Sequence, residues 1–320
     1  MKTIVHDRYG PPDVLTLADC AEPEPAAGEA VVRVRAAAIN PADWYGLSGR
    51  PWLARPTMGL RGPRDGRIGI DVAGTVTAIG DGTGVHVGDD VFGTANGSLA
   101  EYAVVKRKVA PKPPGLTFED AAAVPVAGIT ALQGLRDKGG VRPGQKVLVN
   151  GASGGVGTFV VQIAKALGAE VTAVCSTKHV DLVRSLGADR VVDYTREDFT
   201  RLGERYDLLL DVAGSRSWRA CRRVLTPEGT VVVIGGPKHN RLLGPLGHIA
   251  AMRLGAVATR GSATFFIASV NEADLVVLGE LIQAGQVRPV VDRRYELSET
   301  AEAFRYLGEG HASGKIVVTP

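Results

Sequence analysis

With 320 residues, 45% of them hydrophobic and 22% charged, the chain is long enough for two domains with substantial cores and has the composition of a soluble globular protein. A formal charge of +3, without any basic run interleaved with aromatics, argues against a nucleic-acid partner. Cys20, Cys175 and Cys221 are too scattered for a disulfide framework or a zinc knuckle, no stretch supplies about 20 uninterrupted apolar residues for a membrane span, and Met1–Arg8 lacks a signal-peptide core, so a cytoplasmic enzyme is the expected class.

The first 120 residues read as β structure with irregular loops. Ala30–Ala37 and Ile70–Ile79 are strand-like, Gly80–Gly84 is a turn, and Val91–Phe92 and Tyr102–Val105 are further short strands. Glu22–Pro25 and Pro111–Pro114 punctuate the region, the second marking a domain edge. From about residue 120 strands alternate with helices, which predicts a parallel sheet: strands at 146–150, 170–175, 190–193, 207–212, 230–235 and 262–267. A helix follows at 272–284, with Asn271 as its cap and Gly285 past its end. Then come β structure at 286–295, a short helix at 299–307 and a last strand, Lys315–Thr319. The expected organisation is α/β: a β-rich domain over 1–120, a doubly wound six-stranded parallel domain over 121–268, and a return to the first domain over 269–320.

The most informative stretch is the strand Lys146–Asn150 running into Gly151, Ala152, Ser153, Gly154, Gly155, Val156 and Gly157. The turn opens a helix whose apolar residues Val156, Val160, Ile163 and Leu167 recur at helical spacing. That is the shape of a dinucleotide pyrophosphate site, with backbone N–H groups and the positive end of a helix dipole facing the phosphates. Gly154 lets the backbone approach the cofactor, and Gly157 lets the helix pack on the strand. Ala152 stands where the G-x-G-x-x-G pattern expects its first glycine.

At the end of the second strand, Glu170–Cys175, NAD-preferring sites carry an acidic residue for the ribose 2′-hydroxyl. Here Cys175 is followed by Ser176, Thr177 and Lys178. A neutral residue removes the repulsion on a 2′-phosphate, and two hydroxyls and an ammonium supply donors and charge, so NADPH is the expected cofactor. The competing reading makes Ser176 or Thr177 the cap of a helix over Val180–Leu186, with Lys178 solvated.

Further motifs extend along the chain: Asn40–Trp44, Gly69–Val76, Gly88–Gly93, Ala121–Ala131, Gly151–Gly157 and Leu186–Asp189. In these the sequence resembles the zinc-independent, quinone-oxidoreductase-like branch of the medium-chain dehydrogenase/reductase family, over essentially its whole length. The resemblance implies a GroES-like catalytic domain joined to a Rossmann domain. Zinc-using relatives carry a catalytic Cys where this chain has Asn40, and His-Glu where it has Ile70 and Asp71. Residues 80–110 hold no cysteine for a structural zinc, so no metal is expected. The resemblance further places Asn40 and Thr130 beside the nicotinamide, gives Lys178 and Tyr194 the 2′-phosphate, and brings the crossover after Gly235 near the cofactor. Asn40 before Pro41 is also a turn starter, Tyr194 also reads as a packed residue, and Asp71 reads as a structural carboxylate.

Without a Lewis acid a simple ketone is poorly polarised, whereas a quinone or an activated C=C bond delocalises the incoming charge onto an oxygen that needs only hydrogen bonds. The expected activity is therefore NADPH-dependent hydride transfer to a quinone or an α,β-unsaturated carbonyl compound, with Tyr45 the first candidate proton donor. Trp44, Trp52 and Leu60 are candidates for an apolar substrate pocket, with core packing as their alternative; His239 and His248 fall in the crossover near the cofactor.

Three other readings stay open. Gly151–Gly155 also fits the G-x-S-x-G nucleophile elbow of an α/β-hydrolase, with Ser153, Asp211 and His239 in triad order. The others are a metal-independent alcohol dehydrogenase and an NADPH-binding protein without turnover. An apolar edge strand at Ser262–Ile267 predicts a homodimer.

Overall fold

Residue periodicity changes from two to 3.6 partway along the chain, and the tertiary structure divides accordingly. A computed structural model of the chain describes residues 1–236 and 244–320. One unit comprises Met1–Ile129, Ser269–Gly285 and Pro289–Pro320; the other comprises Thr130–Ala268 and Gln286–Arg288.

The second unit is built on six parallel strands in the order Ser262–Phe265, Leu225–Val233, Tyr206–Asp211, Lys146–Asn150, Glu170–Cys175 and Arg190–Asp193. The first strand in the sequence, Lys146–Asn150, therefore lies mid-sheet beside the fourth, and the chain reverses direction of travel there. In doubly wound sheets that switch point is where ligands bind, off the carboxyl ends of the strands. Helix Gly155–Ala166 buries Phe159, Val160, Val161, Ile163 and Ala164 completely. The expected strands at 207–212, 230–235 and 262–267 are found as Tyr206–Asp211, Leu225–Val233 and Ser262–Phe265. The middle one ends early because the chain turns at Gly235, whose amide bonds back to Asp211 O at 3.1 Å.

The first unit holds a six-stranded sheet in the order Val291–Glu296, Lys315–Thr319, Ala30–Ile39, Asp71–Ile79, Asp90–Asn96 and Tyr102–Pro111. Ala30–Ile39 also pairs with Tyr102–Pro111, so the last four strands curl closed on themselves. Val32, Val72, Leu99 and Phe304 belong to the core they share with helix Thr300–Glu309. The sequence reading omitted the hairpin Lys2–Val5/Thr16–Asp19 and the helices Pro41–Ser48 and Arg55–Met58, which are too short for a period to declare itself. The β structure expected at 286–295 begins only at Val291, after Pro289, which has no N–H to give a ladder. Helix Glu272–Gln283 starts as expected, Asn271 Oδ1 accepting from the Asp274 amide at 2.9 Å.

Candidate active site

In the second unit the glycine turn supplies a cradle. Gly151 takes φ +91°, the left-handed backbone that only glycine adopts without strain, so the tight-turn glycine is Gly151. Ala152 keeps a negative φ and is fully buried, which explains why alanine is accepted where the pattern expects glycine. A Cβ on Gly157 would stand 2.1 Å from Gly151 O, so this glycine is demanded by the contact between helix and turn. A Cβ on Gly154 would meet nothing nearer than 3.7 Å; the protein itself makes no demand there. Thr158 donates the first intrahelical bond to Gly154 O at 3.0 Å, which leaves the amides of Gly155, Val156 and Gly157 without helical acceptors. Ser153 lies beside them, half-buried. Three N–H groups, a helix dipole and an open position where a ligand backbone can approach fit a pyrophosphate.

Beside it, the polar corner is more constrained than its sequence implied. Thr177 Oγ1 donates to Asp193 Oδ2 at 2.5 Å and lies 2.9 Å from Thr195 Oγ1. Asp193 also accepts from the Thr195 amide and hydroxyl, and Arg196 Nε lies 3.5 Å away. The Thr177 bond first, then Thr195 and Arg196, hold its carboxyl below the usual range. Cys175, in register with Asp193, has its thiol pushed up to about 11 by burial and by that carboxylate. Thr177 thus orients a carboxylate instead of presenting a free hydroxyl. Ser176 caps the 3₁₀ turn Thr177–His179 without a side-chain hydrogen bond. Lys178 is exposed, with no carboxylate in ion-pair range among the described residues, and Tyr194 is 55% exposed with its amide on Cys175 O. The available donors at this corner are Ser176, Lys178 and Tyr194.

The carboxyl ends of the two central strands hold a polar group that sequence reasoning did not assemble, having named Asp211 only as a triad acid and His248 only as a crossover residue. Asn150 Nδ2 donates to Asp211 Oδ1 at 2.7 Å and to Ser215 Oγ at 3.0 Å, and the Gly214 amide donates to Asp211 Oδ1 at 2.9 Å. His248 Nε2 lies 3.5 Å from Asp211 Oδ2. A carboxylate at a strand end followed by glycine was the available signal. Gly235 packs against this end; a Cβ there would fall 1.9 Å from Val212 O. The hydrolase reading needs a histidine on Ser153. Among the described residues none bonds to it, Asp211 serves Asn150 instead, and His239 lies outside the described residues. Thr130 is half-buried on helix Pro125–Gln133.

In the first unit Asn40, Asp71 and Lys315 form one buried node. Lys315 Nζ donates to Asn40 Oδ1 at 2.5 Å and to Asp71 Oδ2 at 2.9 Å; Asn40 Nδ2 donates to Asp71 Oδ2 at 2.9 Å. Asp71 Oδ1 accepts from the Val126 amide at 3.0 Å. The expectation of a structural Asp71 agrees with this geometry, but the ammonium that neutralises it was not foreseen. Asn40 sits at the N-terminus of helix Pro41–Ser48 with both atoms of its amide engaged, so it holds the node together. Its own amide donates to Asp43 Oδ2 at 2.7 Å. Burial, with the charge of Asp71 adding, pushes the Asp43 carboxyl up to about 7. The donor set does not suit zinc: the atoms at positions 40 and 71 are taken by an ammonium and an amide. Among the described residues no group of three or more His, Cys, Asp or Glu side chains could hold a metal ion.

Tyr45, on the same helix, is half-buried, and burial raises its phenol above the ordinary range. Trp44 packs into the core, its ring against Gly308, as its alternative reading had it. Trp52 and Leu60 are exposed, by 51% and 71%. The cavity in this region is lined instead by Tyr9, Asp43, Met58, Arg64 and Ile70.

Comparison with known proteins agrees with this architecture. Residues 26–114 match the family model described as an alcohol dehydrogenase GroES-like domain, and residues 186–318 match that described as a zinc-binding dehydrogenase. A 2-methylene-furan-3-one reductase of Solanum lycopersicum is 34% identical, covering 100% of this chain and 79% of the relative. An NADPH-dependent alkenal/one oxidoreductase of Arabidopsis thaliana chloroplasts is also 34% identical, covering 100% and 80%. The structure of an Escherichia coli quinone oxidoreductase complexed with NADPH superposes with a TM-score of 0.84 at 26% identity, each chain covered completely. Full-length coverage, both domain matches and the ammonium-closed node together make the chain a member of the zinc-independent, quinone-oxidoreductase-like branch of the medium-chain dehydrogenase/reductase family.

Proposed function

We propose that this protein is an NADPH-dependent reductase that delivers a hydride to a quinone or to the β-carbon of an α,β-unsaturated carbonyl compound. The observation that carries the reading is the node itself: an ammonium holds the positions that bind zinc in other branches, so the chemistry must suit acceptors that need no Lewis acid. The names of its relatives, a furanone reductase, an alkenal/one oxidoreductase and a quinone oxidoreductase, lie in the same chemical class.

NADPH supplies the hydride and its electron pair. The amides of Gly155, Val156 and Gly157, with Ala152, Ser153 and Gly154 forming the turn, hold the pyrophosphate; Ser176, Lys178 and Tyr194 take the 2′-phosphate, while Thr177 shapes the corner through Asp193. Thr130, Gly235 and Asn40 complete the cofactor-binding set, Asn40 through the helix that it starts. When the acceptor is an enone, its π pair moves onto the oxygen as the new C–H bond forms at the β-carbon, and a proton delivered to the α-carbon completes the saturated carbonyl compound; when it is a quinone, uptake of the hydride and one proton, with tautomerisation where the hydride has entered at carbon, gives the quinol. Tyr45 is proposed as the donor of that proton, since a tyrosine phenol is protonated at neutral pH.

No helix of the described residues is long and apolar enough to cross a membrane. Free cysteines at 20, 175 and 221 suit a reducing compartment, and the cytoplasm is the proposed location. A homodimer is proposed through the edge strand Ser262–Phe265, near which Leu254, Val257 and Ile267 are 71%, 78% and 85% exposed.

Stopped-flow oxidation of NADPH against a panel of quinones and enones tests the reaction. Turnover of at least one class is expected. Protein that binds NADPH yet reduces nothing on the panel overturns the assignment in favour of a non-catalytic binder, and zinc-free oxidation of an alcohol with NADP overturns it in favour of a dehydrogenase.

A further inference from the structure

Two adjoining cavities in the first unit carry an uneven charge. The first, about 230 Å³, is bordered by Asp43 and Ile70, which flank the Asn40–Asp71–Lys315 node, and by Tyr9 and Arg64. The second, about 470 Å³, shares Arg67, Ile70 and Asn96 with the first and extends to Lys106 and Lys108. The second falls within the roughly 300–1,000 Å³ of small-molecule sites, and the first has room for one polar end of a ligand.

The carboxylates in this lining are already engaged. Asp65 accepts from Arg67 Nε at 3.1 Å, from Arg67 Nη2 at 2.8 Å and from Asn96 Nδ2 at 2.7 Å, and its carboxyl is held below the ordinary range chiefly by Arg67. Glu29 pairs with Lys106 at 3.2 Å. Asp43 is buried and carries much less than a full charge near neutrality, because burial pushes its carboxyl up to about 7. Two cations remain unbalanced: among the described residues neither Arg64 nor Lys108 has a carboxylate within ion-pair distance. Arg64 Nη2 makes one bond, to Pro56 O at 2.9 Å, which leaves most of its donors open.

Arg64 is also held in place. Its amide bonds to Met58 O at 3.0 Å, and Tyr9 Oη ties the same loop through Gly59 O at 2.8 Å. Arg55 in turn lies over the Tyr9 ring, 4.9 Å from its centroid. The segment from 50 to 67, which includes helix Arg55–Met58, carries five arginines, Arg50, Arg55, Arg61, Arg64 and Arg67, against one acid, Asp65. A guanidinium on an anchored loop, facing a cavity whose acids are spent, is the arrangement that recognises a carboxylate or phosphate.

We propose that the reducible substrate carries an anionic group, a carboxylate or a phosphate ester, bound by Arg64 in the first cavity. This rests on the reductase reading above and names its substrate class. Neutral quinones and simple enones are then poor versions of the substrate, lacking the part that fixes orientation.

The test compares three enones of one carbon skeleton: neutral, ending in a carboxylate, and ending in a phosphate ester. With wild-type protein at low ionic strength, at least one charged enone should exceed the neutral one about tenfold in kcat/KM, the advantage shrinking as salt is added. Which charged compound leads tells a carboxylate substrate from a phosphate one. Arg64→Gln should collapse the ratio, mainly through KM, and Arg64→Lys should keep part of it. Calorimetric binding of the charged enones to wild type and Arg64→Gln reads the same site without turnover. Equal kcat/KM and equal binding for charged and neutral compounds overturn the proposal, as does a preference that survives Arg64→Gln. So does a loss of NADPH affinity in that variant, which would assign Arg64 to the cofactor. Reduction of none of the compounds, with charged ones still bound through Arg64, overturns the reductase reading and leaves the anion site standing.

Discussion

At the scale of single residues, the first unit is organised by charges that water does not reach. Lys315 and Asp71 are 3% and 0% exposed at their side chains, so each depends on the other for its counter-charge. Removing one partner of such a pair costs about 3–5 kcal/mol because a bare charge is left behind. Lys315→Met should lower unfolding stability by that order in urea titrations. Adding Asp71→Asn, whose amide oxygen still accepts from Val126, should recover part of the loss; a double variant no better than the single one would falsify the ion-pair account. Asp43 poses the opposite problem, a carboxyl that burial disfavours ionising. Its folded pKa of about 7 lies above the roughly 3.9 of an unfolded Asp, so the folded state holds this proton more tightly. The associated stability is fully present below about pH 4 and is lost as pH rises through about 7. Relative to Asp43→Asn, the wild type should therefore weaken between those limits. Denaturation midpoints that run parallel for the two proteins across that range would remove the shift.

At the scale of elements, Gly154 and Gly157 are there for different reasons, and substitution separates them. Gly157→Ala drives a methyl into the Gly151 carbonyl and the Ala152 backbone, and overpacking of this kind typically costs about 1–3 kcal/mol. Gly154→Ala adds a methyl with room around it, so stability should change by less than about 1 kcal/mol. NADPH binding should nonetheless weaken at least tenfold, because the methyl would stand where the pyrophosphate is proposed to approach. Unfolding curves and NADPH titrations on both variants check the pair; equal effects on affinity and stability at Gly154 would sink the distinction. At the neighbouring corner Lys178 is the one unpaired cation among the donors described there. A charge-assisted bond is worth about 1.5–3 kcal/mol, so Lys178→Ala should reduce the NADPH-to-NADH ratio of kcat/KM about tenfold or more.

At the scale of the whole molecule, the second unit leaves one edge of its sheet at Ser262–Phe265 and an apolar set at Leu254, Val257 and Ile267. Val257→Glu with Ile267→Glu should convert a dimer to a monomer in light scattering; a wild type that already scatters as a monomer removes the proposed assembly. Much of the architecture was legible beforehand. The strand–turn–helix at Lys146–Ala166, the alternating strands after it and the cap at Asn271 all lie within spans of a few residues, where period, glycine and capping chemistry speak directly. The corner at Ser176–Lys178 was legible in composition only. Asp193, which captures Thr177, sits on another strand and is brought opposite Cys175 by sheet pairing.

The sequence by itself determined the glycine turn between strand and helix, the parallel α/β pattern and the want of zinc ligands at positions 40 and 70–71, because each is written in neighbouring residues. Only tertiary structure decided what fills the place of those ligands. Ile316 pairs with Ile39 and Ala38 with Asp71, which carries Lys315 to Asn40 and Asp71 across 275 and 244 residues of chain. No local pattern marks that lysine as buried, since burial of a charge is a property of the strands that close around it and of the counter-charge they deliver.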